Sequence, residues 1–297
     1  MEKVLKILKD GNIAFSTDEN VAARSTFKVG GIAVLTVYPK NADELIAAIK
    51  ALDASGVKLE VIGNASNTLF GFDVYRGALI FTAGMSEIEC NGENIYAGAG
   101  VSLGTLSRMA ADRGLSGMEF AYGIPGFVGG SVYMNSGAYG SEMAAVVEYS
   151  DAYDRESGER VRIYDHEFGY RRSIYEENKN LICLGASFKL AEGDSEKIKA
   201  QMAQNMASRK EKQPLEYPSA GSYFKRPVGN FAGKLIEDAG LKGMRVGGAE
   251  VSAKHAGFIV NRGGATAEDI LALEEKIKEI IMSRFGVELE REVRLIK

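Results

Sequence analysis

Between residues 117 and 140 the chain reads GMEFAYGIPGFVGGSVYMNSGAYG, with glycine at 117, 123, 126, 129, 130, 137 and 140. A helix through it would lose about 1 kcal/mol at each glycine relative to alanine, and a long strand would be weakened in the same way. The run therefore reads as a loop. Phe, Tyr, Met, Ile and Val are interleaved throughout, so it packs rather than solvates as a linker would. The chain holds 35 glycines, where an average share would give about 21, and smaller groups lie near Gly30, Gly63, Gly98 and Gly247. Such loops serve two ends. Bare backbone N–H groups can surround a phosphate, since glycine permits positive φ and close approach; tight turns in a β-rich domain use glycine equally well. Taken alone, the run supports both readings evenly. No GxGxxG stands in a strand–turn–helix setting and no GxxxxGK[ST] occurs, so neither a Rossmann turn nor a P-loop carries a site here.

The rest of the composition narrows the field. The chain has 297 residues, 45% of them hydrophobic, enough for the cores of two domains. Its net charge is −4 and no Lys/Arg block stands out, which argues against a nucleic-acid surface. The opening MEKVLKILKDG has no basic segment leading into an apolar core, and no run of 18 apolar residues follows, so neither export nor membrane insertion is expected and the protein is placed in the cytoplasm. Cys90 and Cys183 sit far apart in strand-like apolar stretches, which suits buried thiols in a reducing compartment. With His166 and His255 as the only histidines, a zinc site would rest mostly on carboxylates, and no metal is expected.

The hydrophobic pattern predicts an α+β fold. A strand at 33–39 precedes a helix with Asn41 and Glu44 at capping-box spacing, ended by Gly56, and LEVIG (59–63) follows as a second strand. Further strands are read at 78–82 and 94–100, then a helix capped by Ser102 and stopped by Gly114. Beyond the glycine run, VVEYSDAYD, RVRIYD and NLICLGASFKL read as antiparallel strands. A charged helical stretch (193–211) and a proline-rich segment, QPLEYPSAGSYFKRP, mark the domain boundary. After it come a short helix at 231–239, a strand FIVN (258–261), a helix opening at Thr266 with Asp269 at capping-box spacing, and a closing strand VELEREVRLI (287–296). The expected domains are 1–192, in two lobes of about 1–75 and 76–192, and 193–297.

Seven segments carry more than pattern: STFKVGG (25–31), GNASNTLF (63–70), the 117–140 run, FGYRRS (168–173), GSYFKRP (221–227), KHAGFIVN (254–261) and LEREVRLI (289–296). In this order they resemble the UDP-N-acetylenolpyruvoylglucosamine reductase (UDP-N-acetylmuramate dehydrogenase) family, in its shorter second type, over nearly the whole chain. The sequence departs from the family pattern at Asn64 and Ala65, where Gly is frequent, and at Phe127 and Ser131, where smaller residues are usual. The resemblance implies an FAD-binding domain of the vanillyl-alcohol-oxidase type followed by a smaller α+β substrate-binding domain. It further implies NADPH as hydride donor, a UDP-linked amino-sugar enolpyruvyl ether as substrate, and a place in peptidoglycan precursor synthesis. A monomer is expected. FAD contacts are implied for Gly63, Asn64, Ala65, Ser66 and Asn67, for Gly123, Ile124, Pro125, Gly126, Gly129, Gly130 and Ser131, and for Asn135, Gly137 and Ala138. Relatives of this fold that attach FAD covalently use a His or Cys; here the only histidine before residue 200 is His166, and Cys90 lies outside the matching loops, so non-covalent FAD is expected.

Hydride addition to C3 of an enol ether leaves charge at C2 and in the adjoining carboxylate, so the site needs a cation and a proton source. By match, Arg171 is the stabiliser, Ser222 the proton donor and Glu292 the third catalytic residue; substrate binding falls to Tyr170, Lys212, Arg226 and His255. Read without the match, Arg171 is an exposed loop charge, Ser222 an ordinary loop serine and Glu292 a solvent-facing residue of an alternating strand. Two other functions are compatible with parts of the pattern: an FAD-dependent oxidase of the same fold, which the C-terminal motifs disfavour, and a non-catalytic nucleotide-sugar-binding protein, which has no need of Arg171, Ser222 and Glu292 together.

Overall fold

A computed structural model describes residues 1–297. The chain divides into two compact units: Met1–Thr17, Leu35–Asn64 and Arg76–Arg209 form the first; Asp18–Val34, Ala65–Tyr75 and Lys210–Lys297 form the second. This division differs from the boundary expected at residue 192. Two glycine-bearing segments from the first quarter of the sequence belong with the C-terminal unit, and most of the charged helix after 193 belongs with the first.

In the first unit, helices α1 (Glu2–Asp10) and α2 (Ala42–Asp53) bury Val4, Leu8, Leu45, Ala48, Ile49 and Leu52 against Leu35, Val37, Ala78 and Ile80 of the strands. Each of the Val, Leu and Ile side chains contributes about 1.5–3 kcal/mol by leaving water. Asn41 caps α2, its Oδ1 accepting the Glu44 N–H at 2.9 Å; the Glu44 carboxylate reaches back one residue further than a capping box requires, to the Lys40 N–H. Strand Leu59–Ile62 runs parallel to Val74–Phe81, completing the βαβ pattern. A second core lies under a five-stranded antiparallel sheet ordered Glu159–Ile163, Val147–Asp154, Leu181–Lys189, Asn94–Gly98, Ile88–Asn91. Against it pack α3 (Leu103–Asp112), capped by Ser102 and followed by Gly114 at φ +67°, and α4 (Val128–Tyr133), which begins inside the glycine run. The short α5 (Ile174–Glu177) follows, and α6 (Ser195–Lys212) lays Ile198 and Met202 on Ala111, which explains why this helix joins the first unit.

Cys90 corrects the expectation of two buried thiols. It stands on Ile88–Asn91, the edge strand of the five-stranded sheet, and is exposed, whereas Cys183 on the strand Leu181–Lys189 is half-buried.

The second unit has a three-stranded antiparallel sheet (Arg245–Val246, Ala249–Val251, Ile259–Asn261) with α7 (Ala232–Asp238) and α8 (Ala267–Phe285). The capping box at the start of α8 is complete: Thr266 Oγ1 accepts from Asp269 N–H and the Asp269 carboxylate accepts from Thr266 N–H. Phe27, Val29 and Leu69 enter the core of this unit beside Tyr223, Ile236, Val251, Ile270 and Ile277. The closing strand is shorter than expected. Only Arg294–Ile296 is strand, parallel to Thr68–Phe70. Upstream, the buried positions are Leu289 and Val293, a spacing of four rather than two. The chain turns there: Arg291 bridges Phe224, and the Glu292 N–H donates to Tyr223 O at 2.9 Å.

Candidate active site

The glycine run and the loop at Gly63 lie side by side in the first unit. Asn64 Nδ2 donates to Pro125 O at 2.7 Å, and a methyl group on Gly63 would stand 3.7 Å from Phe127 Cβ and 3.9 Å from Gly130 N. At Gly126 a methyl would come within 2.8 Å of Ser131 Oγ, and at Gly129 within 2.9 Å of Ala99 Cβ, so neither tolerates a side chain; Gly130 is exposed and opens onto free space. The first two amides of α4 are taken by Val101 O and Ala99 O, which leaves recognition of an anion to the remaining loop. Ser131 Oγ is buried without a hydrogen-bond partner, a donor held ready in a glycine-walled cradle. These residues fit a flavin dinucleotide, whose diphosphate needs backbone approach and hydroxyl donors.

Four of the eight non-glycine residues in the left-handed region lie in the loops expected to form the site: Ala65 (φ +48°), Asn135 (+43°), Tyr139 (+53°) and Arg171 (+55°). Such strain concentrates at functional sites. Arg171 is the clearest case. Gly169 and Arg172 exchange both backbone hydrogen bonds, so Tyr170 and Arg171 form the tip of a two-residue turn whose second position asks for Gly or Asn. The glycine run holds the arginine there. Its Nη1 donates to Asn135 O at 3.4 Å and its Nη2 to Gly137 O at 3.2 Å, and its guanidinium lies 5.3 Å from the ring of Tyr170. Asn135 is fully buried, its Nδ2 donating to Gly169 O and its Oδ1 accepting from Ala144 N–H. The side chain of this expected flavin contact therefore serves the turn.

His166 has the same kind of employment. It is buried, stacked on Phe168 at 4.7 Å, and its Nε2 shares a 2.8 Å hydrogen bond with Ser150 Oγ, which also meets the Tyr175 hydroxyl. Burial lowers its pKa and keeps the ring neutral. No His, Cys, Asp and Glu side chains gather in threes to hold a metal ion.

In the second unit the main chain of Tyr223 gathers three expected site residues. Ser222 precedes it; its N–H donates to Gly257 O at 2.8 Å, two residues from His255; its carbonyl accepts the Glu292 N–H. Asn67 fastens the same stretch, donating from Nδ2 to Glu292 O and accepting the Arg294 N–H at its own carbonyl. Ser222 is exposed and Glu292 half-buried. The Gly257 N–H donates to His255 Nδ1 at 3.1 Å, which leaves Nε2 as the protonated, donating nitrogen of a ring whose pKa burial lowers. Lys212 and Arg226 are exposed, the latter with its guanidinium 4.6 Å from the Phe231 ring.

One cation escaped the sequence reading. Arg209, in the charged helix α6, packs its Cδ 3.0 Å from where a methyl on Gly123 would sit, and burial lowers its pKa, with the Tyr139 phenol as electrostatic neighbour. The helix carries so many charges that nothing in the pattern singles this one out.

Comparison with known proteins agrees with this division of labour. Residues 33–164 match an FAD binding domain, and residues 213–296 match the UDP-N-acetylenolpyruvoylglucosamine reductase C-terminal domain. The UDP-N-acetylenolpyruvoylglucosamine reductase of Caldicellulosiruptor saccharolyticus is 47% identical over 96% of this chain and 93% of its own; that of Caldanaerobacter subterraneus subsp. tengcongensis is 43% identical over 100% and 97%. The crystal structure of the Thermus caldophilus enzyme superposes with a TM-score of 0.80 at 33% identity, covering 96% of this chain and 99% of that one. A berberine-bridge-enzyme-like protein of Physcomitrella patens shares the fold at 16% identity, with a TM-score of 0.50 over 64% of this chain and 44% of its own. The chain belongs to the UDP-N-acetylenolpyruvoylglucosamine reductase family.

Proposed function

We propose that Arg171, Ser222 and Glu292 carry out, in this chain, the reduction its family is named for. The protein is an FAD-dependent oxidoreductase that converts the enolpyruvyl ether of UDP-N-acetylglucosamine to UDP-N-acetylmuramate with NADPH, a step of peptidoglycan precursor synthesis. FAD bound in the glycine-walled cradle would supply the hydride relay between NADPH and C3 of the enol ether.

The chain supplies the remainder. The arginine fork matches a carboxylate bidentately, so Arg171 holds the substrate carboxylate and the charge that spreads into it as C2 becomes basic. Ser222, a weak acid, gives its proton to C2 because that carbon is strongly basic and the hydroxyl is held close. Glu292, on the stretch paired with Tyr223, orients the donor and returns a proton to it. Lys212, Arg226 and the Nε2–H of His255 bind the UDP portion, with Tyr170 beside Arg171. Ser131 and the backbone of residues 63–67, 123–130 and 135–138 hold FAD without a covalent bond. The enzyme works as a monomer in the cytoplasm, independent of nucleic acid and membrane; no helix is long and apolar enough to cross a membrane.

The observation that most supports these roles is the pairing through Tyr223, which brings the stretches bearing Ser222, His255 and Glu292 together within one unit. The test separates the half-reactions. Under anaerobic conditions NADPH should bleach the bound flavin and the enolpyruvyl substrate should restore its colour. In Ser222→Ala, bleaching should keep its rate while restoration slows at least 10²-fold, the lower range of a lost general acid. An equal loss in both steps would contradict the assignment. Reoxidation by oxygen as fast as by substrate would instead favour an oxidase.

A further inference from the structure

Behind the stretches that bear Ser222 and Glu292 lies an ionic cluster, centred on a buried carboxylate with two half-buried cations, that the chemistry above leaves unused. Glu274, on α8, is 1% exposed. Its Oε2 accepts a 2.8 Å hydrogen bond from the Tyr223 hydroxyl and lies 3.6 Å from Arg291 Nε; its Oε1 lies 2.5 Å from Lys278 Nζ. Tyr223 directly follows Ser222, and Arg291 directly precedes Glu292. One carboxylate thus holds the neighbours of two catalytic candidates, and the same two stretches are joined by the Phe224–Arg291 bridge, the Lys225 N–H to Glu290 O bond and the Glu292 N–H to Tyr223 O bond.

The cluster is costly to keep for stability alone. Buried ion pairs often contribute less than well-packed apolar residues of the same size, while their strict geometry fixes register. Its members are matched to that task. Burial pushes the Tyr223 phenol far up, with the Glu274 charge adding to the effect, so it remains a donor at any working pH. Burial alone would depress the Lys278 ammonium, but its interactions with Glu274 and Glu275 together outweigh this and raise it. Arg291 Nη1 is buried without a hydrogen-bond partner, so Glu274 is the chief compensation for that guanidinium.

We infer that Glu274 is a positioning residue for the reduction: through Tyr223 and Arg291 it sets the register of the stretch carrying Ser222 against the stretch carrying Glu292. This rests on the roles given to those two residues. An error of about 1 Å between a proton donor and the carbon it serves costs on the order of 10²-fold in rate, so a carboxylate that touches no substrate can still govern the step.

The test uses the full-length holoenzyme with Glu274→Gln, which keeps the shape and an acceptor for Tyr223 but removes the charge, and Tyr223→Phe, which removes one hydroxyl. Both should load FAD and be bleached by NADPH at the wild-type rate. Restoration by the enolpyruvyl substrate should slow about 10-fold or more in each, in kcat more than in KM, and backbone amide exchange at Glu292 should quicken while α8 amides stay protected. A merely structural role would lower the melting temperature and leave the ratio of the two half-reactions unchanged; that result, or unchanged exchange at Glu292, overturns the inference. Ser222→Ala is measured alongside. If it is slow and both cluster variants restore colour at the wild-type rate, only the clamp falls. If Ser222→Ala itself restores colour at the wild-type rate, the proton-donor role falls and the clamp with it.

Discussion

Ala65 stands where the family frequently has glycine, and its backbone says why: φ is +48° and the residue is buried. An L-residue in this region loses roughly 1–2 kcal/mol to contact between Cβ and the carbonyl, while glycine brings a flexibility cost of about 0.5–1 kcal/mol. Ala65→Gly should therefore stabilise the protein by about 0.5–1 kcal/mol, raising the urea midpoint without altering the flavin spectrum; a lower midpoint would mean that the methyl group packs more favourably than the backbone suffers. Arg171 is the same geometry with a different outcome. A glycine at the turn tip would relax the backbone and lose the guanidinium, so the strain there is retained for the side chain.

At the scale of elements, the turn Gly169–Arg172 depends on Asn135, which satisfies Gly169 O and Ala144 N–H from a position with no solvent access. Asn135→Ala removes both bonds: Ala144 N–H loses its partner, and Gly169 O keeps only the Arg172 N–H. At about 0.5–1.5 kcal/mol net for each lost hydrogen bond, the loss should come to about 1–3 kcal/mol, read from urea unfolding, with substrate reoxidation impaired more than NADPH reduction. What the sequence made legible at this scale was local. Asn41, Ser102 and Thr266 announce their helices because a cap and its amide are three residues apart. The stretch 287–293 was misread as strand because its alternation is genuine, yet Arg291 and Glu292 answer to Phe224 and Tyr223, almost seventy residues upstream. Cys90 was misread for a related reason: whether a strand lies at the edge of a sheet is a property of strand order, which the strand's own residues do not encode. The candidate site was legible as types and motifs; the services of Asn67, Asn135 and Glu274 were not, because each links side chain to partner across 34 to 225 residues.

For the whole molecule, pH should act mainly through the two histidines. Burial lowers both His166 and His255 from the ordinary 6.5. The unfolded chain thus binds protons that the folded chain refuses, and stability falls as pH drops below about 6.5, continuing until the folded pKa values are reached. Urea midpoints should decline from pH 7 to pH 5, and His166→Asn should flatten part of that decline; parallel profiles for the two proteins would refute the contribution of His166. Below pH 4 a second loss is expected, since backbone amides of Thr266 and Gly248 hold the Asp269 carboxylate below its usual range and that stabilisation vanishes as the carboxyl protonates.

The second unit is assembled from three separate stretches of sequence, and this has a consequence in time. Thr26 hydrogen-bonds Ser219 across 193 residues, and Phe27 O accepts from Asn261 across 234. A ribosome adding about 5–20 residues per second needs roughly 10–50 s to cross such a gap. For that interval Phe27, Val29 and Leu69 are outside the ribosome while most of the core that will cover them does not yet exist. Expressing residues 210–297 by themselves would therefore yield a fragment missing part of its core and the partner strand of Arg294–Ile296, and the nascent protein presents a sticky, unfinished surface to any chaperone within reach until its last helix emerges.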